Sequence, residues 1–165
     1  MIEINIQNKG DYPLDEKKLH NAVVAVSQMH QRIQGHTLSI VVDDDVAVAA
    51  LNEAYRGIAA PTDVLSFPAD PMPEEIADAE DGIYLGDLVI AYPYTKAQAI
   101  RDGYNLNDTL GLLVVHGTLH LLGYDHDTPE NRAVMWQAQA RALDEVGISP
   151  DIVPALEADT HGDHS

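Results

Sequence analysis

Residues 110–126 read LGLLVVHGTLHLLGYDH, a run whose first thirteen positions are apolar but for a threonine, two glycines and two histidines. Asn107 or Asp108 can cap a helix entering this run, and Gly123 supplies a left-handed end. His116 and His120 are four residues apart, so the helix sets both imidazoles on one face, one turn apart, where they can share an ion. Gly123 lets the chain reverse, and His126 can return from the loop with a third nitrogen. Imidazoles inside an apolar helix are costly unless their nitrogens are satisfied, and a metal satisfies them. Three neutral imidazoles leave one tetrahedral position open, which separates a catalytic zinc from a structural one. Water in such a position titrates near neutrality, at ~7 in favourable sites, and the ion also polarises a phosphoryl or carbonyl oxygen.

Working outward from this helix, strands and helices alternate. Ile2, Ile4 and Ile6 alternate with Glu3, Asn5 and Gln7, the period-two pattern of a strand with one buried face. Leu19, Val23, Val26 and Met29 recur at helical spacing, which predicts a helix from Leu14 to about Ile33, stopped at Gly35. The β-branched segment His36 to Val42 is a second strand. Asp43 or Asp44 can cap a helix through Val48, Leu51 and Tyr55 that stops at Gly57. PTDVLSFP gives a short strand bounded by prolines, and residues 69–82 give an exposed acidic loop. Residues 84–92 form another strand, and Pro93 opens a helix through Lys96 and Ile100. Thr128 and Pro129 start a last helix through Val134, Leu143 and Val146. This strand-to-helix alternation is expected to form one domain over residues 1–150. A flexible tail is expected over 151–165.

Composition narrows the functional classes. The 165 residues suffice for one core, and 45% hydrophobic with 22% charged residues is ordinary for a globular chain. There is no cysteine, which removes disulfides, thiolate nucleophiles and cysteine zinc sites. The start MIEINIQNKG has no basic stretch leading into an apolar one, and no uncharged run approaches the ~20 residues that span a bilayer. A cytoplasmic location without a membrane partner is expected. The net charge of -18, with nine scattered basic residues, argues against a strong autonomous module for nucleic acid.

The ligand spacing also occurs in metzincin proteases, whose motif carries a glutamate directly after the first histidine as general base. Here that position is Gly117, so peptide hydrolysis lacks its proton acceptor. Asp125 could substitute, although a structural role fits it better. His20, His30 and His36 lack ligand spacing and read as surface or strand-edge residues, while His161 and His164 sit in the polar tail. Met135 and Trp136 read as core residues of the last helix.

The eleven residues His116-Gly-Thr-Leu-His-Leu-Leu-Gly-Tyr-Asp-His126 resemble the signature HGxLHLxGYDH of the YbeY family of bacterial ribosomal RNA maturation endonucleases. The resemblance extends to LNEAYRGIAAPTDVLSFP at 51–68 and LGDLVIA at 85–91, in the family's order, and covers most of the chain. It implies an α/β (α+β) fold with a small mixed sheet packed with helices, a zinc ion on His116, His120 and His126, one per chain, and action on the 3′ end of small-subunit (16S) ribosomal RNA with a part in ribosome quality control. The family's active-cleft arginine matches Arg56. A guanidinium offers paired donors to phosphate and steadies charge developing at phosphorus. The sequence departs from the family at Ala59 and Ala60, where charged residues are common, and at Gln139, where a glutamate is usual. None of these is expected to touch the metal motif.

The resulting expectation is a zinc-dependent endoribonuclease cutting single-stranded RNA, not DNA, with a ribosomal subunit or ribosomal protein positioning the substrate. Either zinc-bound water or zinc on a phosphate oxygen promotes cleavage while Arg56 steadies the pentacovalent charge. The general base is unassigned, as is the choice between water and the 2′-hydroxyl as nucleophile. Ser66 is a candidate for the cleft wall. Asp63 and Asp87 are candidates to orient a ligand histidine, with turn capping favoured for Asp63. The alternatives are a metallopeptidase with a metzincin-like site, or a non-catalytic ribosome assembly factor whose structural metal takes Asp125 or Asp127 as fourth ligand.

Overall fold

Alternation at Ile4 and Ile6 places one face of strand β1 (Glu3–Asn8) against the core, and the computed structural model pairs it in parallel with β2 (Thr37–Asp43) through Ile4↔Leu38 and Ile6↔Ile40. The structure describes residues 2–30, 36–60, 62–69 and 84–149. The acidic stretch 70–83 and the tail 151–165 therefore lie outside the described residues. Strand β4 (Tyr84–Ala91) runs parallel to β2, and β3 (Val64–Pro68) closes that edge antiparallel to β4. The sheet is mixed, in the order β1-β2-β4-β3.

Helices cover both faces. Helices α1 (Glu16–Ser27), α4 (Leu106–Leu121) and α5 (Pro129–Glu145) share the larger core with Leu38, Ile40, Val42, Leu88 and Ile90. On the opposite face Val48 of α2 (Asp45–Arg56) meets Leu65, Val89 and Ala91, beside Tyr94 of α3 (Tyr92–Asp102). Helix α4 is buried continuously from Thr109 to Leu119, because the sheet, α1, α3 and α5 enclose it. A helix apolar all round needs such an enclosure. Each fully buried leucine there contributes about 1.5–3 kcal/mol.

Several boundaries differ from expectation. Helix α1 ends at Ser27 and not near Ile33, since Ser27 Oγ donates to the Val24 carbonyl at 2.8 Å and competes for the helical ladder. Asn105 and not Asn107 or Asp108 caps α4, accepting from the Asp108 N–H at 3.0 Å. The Asp108 carboxylate instead pairs with Lys18 and ties α4 to α1. Leu51, Tyr55, Ile100 and Val134, read as apolar helix positions, are exposed at 41, 60, 70 and 57%. The buried stripe of α5 is Met135, Gln139, Ala142 and Leu143. The caps at Asp44, Gly57 and Thr128 match the reading. Among the described residues no helix is long and apolar enough to cross a membrane.

Candidate metal centre

Helix α4 ends in a Schellman motif. Gly123, at φ 99°, donates its N–H to the His120 carbonyl at 3.0 Å, and Tyr124 donates to that of Leu119 at 3.0 Å. The reversal brings His126 back against the helix. Asp125 secures the return by accepting from the His126 N–H at 2.8 Å. The candidate ligand nitrogens of His116, His120 and His126 all lie within 4.8 Å of one another. His116 and His126 are buried and His120 is half-buried, so one edge of the cluster faces outward.

The second nitrogens decide the chemistry. A backbone carbonyl only accepts, so His120 Nδ1–H donates to the Tyr124 carbonyl at 3.0 Å. His116 Nδ1 lies 2.9 Å from Gln139 Oε1, which likewise accepts. Neutral imidazoles held this way present lone pairs at Nε2, and these two Nε2 atoms are 3.1 Å apart. Two acceptors facing at that distance need a shared cation. Nitrogens on a tetrahedral zinc, each ~2.0–2.1 Å from it, sit about 3.3 Å apart. The donor set thus fits a metal of zinc type. Among the described residues the cluster has three members and no carboxylate. Asp125 is committed to His126, and Asp127 accepts from Asn131 Nδ2 at 2.8 Å, a bond that holds its carboxyl below the usual range.

Gln139 was expected not to touch the metal motif; it is only 1% exposed and hydrogen-bonds a ligand histidine directly. A polar residue on the buried stripe of α5 was the available signal. Trp136, read as core, packs edge-on against His116 and His126, with ring centroids 5.7 and 5.5 Å away. Its buried Nε1–H has no hydrogen-bond partner among the described residues. His30, read as a surface or strand-edge residue, is half-buried and meets the Tyr124 hydroxyl at 3.0 Å. The carboxylate of Asp87 does not orient a ligand; it accepts from the Tyr84 hydroxyl. Asp63 accepts from the Val64 N–H at 2.8 Å, as a turn residue does.

Gly117 faces the sheet. A Cβ there would lie 2.7 Å from Leu88 Cδ2, so the glycine lets α4 approach β4 closely. A glutamate at this position would point into the core and away from the ion. Ser66 pairs with Leu88 across β3 and β4, and so sits on the face of β3 that looks toward α4. Arg56 is half-buried at the end of α2. Tyr55 beside it stacks edge-on with Phe67, at 4.6 Å between centroids. A Cβ on Gly86, which pairs with Pro68 next to Phe67 on the ladder, would lie 3.0 Å from Leu121 Cδ2. These contacts bring the ends of α2 and α4 to the same end of the β3–β4 ladder, from opposite faces. Asn52, absent from the sequence reading, donates from Nδ2 to the Ala60 carbonyl at 2.8 Å and fastens the loop after Arg56.

Comparison with known proteins supplies independent information. The family model described as Endoribonuclease YbeY matches residues 3–147. A protein named Endoribonuclease YbeY from Moorella thermoacetica is 41% identical, over 89% of this chain and 99% of its own length. Another of that name from Brevibacillus brevis is 35% identical, over 90% and 99%. A solution structure of a Thermotoga maritima protein shares the fold with a TM-score of 0.58 at 24% identity, covering 98% of this chain and 99% of that one.

Proposed function

The chain belongs to the Endoribonuclease YbeY family, and on that premise we propose that it is a zinc-dependent endonuclease of single-stranded RNA that matures the 3′ end of small-subunit ribosomal RNA. Membership makes the protein a hydrolytic nuclease acting in ribosomal RNA processing. The observation that carries its metal dependence is the pair of Nε2 atoms 3.1 Å apart, with each ring fixed by its Nδ1 bond.

His116, His120 and His126 are the residues that hold the ion. When bound, the ion supplies Lewis acidity toward a phosphate oxygen and a water acidified to near neutrality. Gln139 and the Tyr124 carbonyl fix the tautomers of His116 and His120, so these two ligands need no reorganisation. Arg56 presents a guanidinium for the negative charge that grows on the phosphoryl oxygens. Ser66 contributes to the wall of the cleft between β3 and α4. The cytoplasm is the site of action, and a ribosomal subunit or ribosomal protein presents the RNA to this acidic chain, which carries a net charge of -18.

Gly117 argues against a peptidase, since its α-carbon faces Leu88 and leaves no place for a base. A purely structural metal is opposed by the cluster itself, which among the described residues offers three imidazoles and no carboxylate as a fourth ligand. The test is to incubate the zinc-loaded chain with a single-stranded 16S fragment and, separately, with casein, alongside Arg56→Ala. The reading expects RNA cut, casein intact, and kcat for Arg56→Ala lower by about 10²–10³ with metal content unchanged. Cut casein with intact RNA, in the presence of ribosomal subunits, rejects it.

A further inference from the structure

The face that α5 turns toward the histidines is graded in depth. Gln139 lies at the floor, buried against His116; Trp136 stands half-buried one turn up, against His116 and His126; Arg132 is exposed one turn further out. Residues four apart share a helix face, so Arg132 and Trp136 form a continuous wall. Arg132, Trp136, Pro129, Ala133 and His126 line one cavity of about 410 Å³. That volume falls in the ~300–1,000 Å³ range of small-ligand sites. His126 belongs to both the histidine cluster and the cavity, so the two adjoin at that side chain.

Resting on the nuclease reading, we propose that this cavity seats the nucleotide next to the scissile phosphate, with Arg132 holding its phosphate and Trp136, Pro129 and Ala133 receiving its sugar and base. The chemistry of the lining selects this occupant. A cation at the rim with an aromatic and aliphatic wall behind it matches one phosphate followed by an apolar ring face. The cavity on the other side of the 123–125 turn, lined by His30, Tyr124, Asp125 and Asn131 among others, carries no lysine or arginine. In a chain with nine basic residues and 27 acidic ones, an arginine in the cavity that His126 lines is placed against the general charge. Asp127 also lines the cavity, and its carboxylate accepts from Asn131 Nδ2 at 2.8 Å.

The test uses the full zinc-loaded chain and a labelled twelve-nucleotide single-stranded RNA, with Arg132→Gln, Arg132→Lys and, as a control on the same helix, Arg141→Gln. Steady-state cleavage is measured between 50 and 200 mM salt. For Arg132→Gln the expected result is a KM raised about tenfold, kcat within about twofold of wild type and unchanged zinc content, with Arg132→Lys partly restoring KM. The slope of log(kcat/KM) against log[salt] becomes shallower by about 0.7, the share of one phosphate on single strands. Arg141→Gln matches wild type. If wild type cleaves but Arg132→Gln keeps its KM and salt slope, or loses only kcat, the subsite is overturned while the nuclease reading stands. A wild-type chain that leaves the RNA intact overturns the nuclease reading itself.

Discussion

Gln139 shows what a single side chain contributes at this centre. Its Oε1 accepts from His116 Nδ1 at 2.9 Å with almost no solvent contact, and it thereby directs Nε2 at the ion. Replacing it with leucine leaves a buried N–H without its acceptor and frees the ring to turn. Zinc affinity, measured by competition with a chromophoric chelator, is expected to fall about 10–100-fold in Gln139→Leu. Gln139→Glu should retain it, since a carboxylate accepts the same bond. Unchanged affinity in the leucine variant would mean that His116 needs no orienter. Because the ligands bind as neutral imidazoles, zinc loading should also weaken steadily on acidification below neutrality. The three histidines were legible in the sequence from spacing and a glycine alone. Gln139 was not, because it meets His116 across 23 residues, a separation that no local period encodes.

Elements behave similarly: their existence is written locally, and their ends and faces depend on what surrounds them. Asn105, two residues before the expected cap, accepts from Asp108 N–H, so Asn105→Ala should cost about 1 kcal/mol in chemical denaturation. Asp108→Ala should not reproduce a cap loss, since its carboxylate pairs with Lys18. Helix α4 owes its position to Gly117, where any side chain meets Leu88. Gly117→Glu, which would restore the metzincin pattern, is expected to destabilise by about 3 kcal/mol or more and to confer no peptidase activity. A stable Gly117→Glu variant that cuts casein would contradict the placement of this helix. Leu51, Ile100 and Val134, which marked the helices in the sequence, are exposed, since apolar residues at helical spacing need not face the core.

At the scale of the whole molecule, the alternation of strands and helices was legible and the mixed sheet was implied by the family resemblance, yet neither the order β1-β2-β4-β3 nor the antiparallel edge strand is encoded in any local pattern. That edge strand turns Ser66 toward α4 and carries Phe67 against Tyr55, next to Arg56. The net charge of -18 sets a further expectation. Binding of naked RNA should be weak and steeply salt-dependent, and precursor RNA within a small ribosomal subunit should be cut at lower enzyme concentration than the same RNA alone. Equal efficiency on both would remove the need for a ribosomal partner. The account centres on an ion held by three imidazoles that cuts RNA, and metal rescue tests it most directly. The chain is stripped with chelator, reloaded with one equivalent of zinc, and assayed on single-stranded 16S RNA beside His120→Ala. The account predicts that stripping abolishes cleavage, that zinc restores it, and that His120→Ala neither retains zinc nor cleaves. Cleavage that persists in the stripped chain, or equally in His120→Ala, would contradict it.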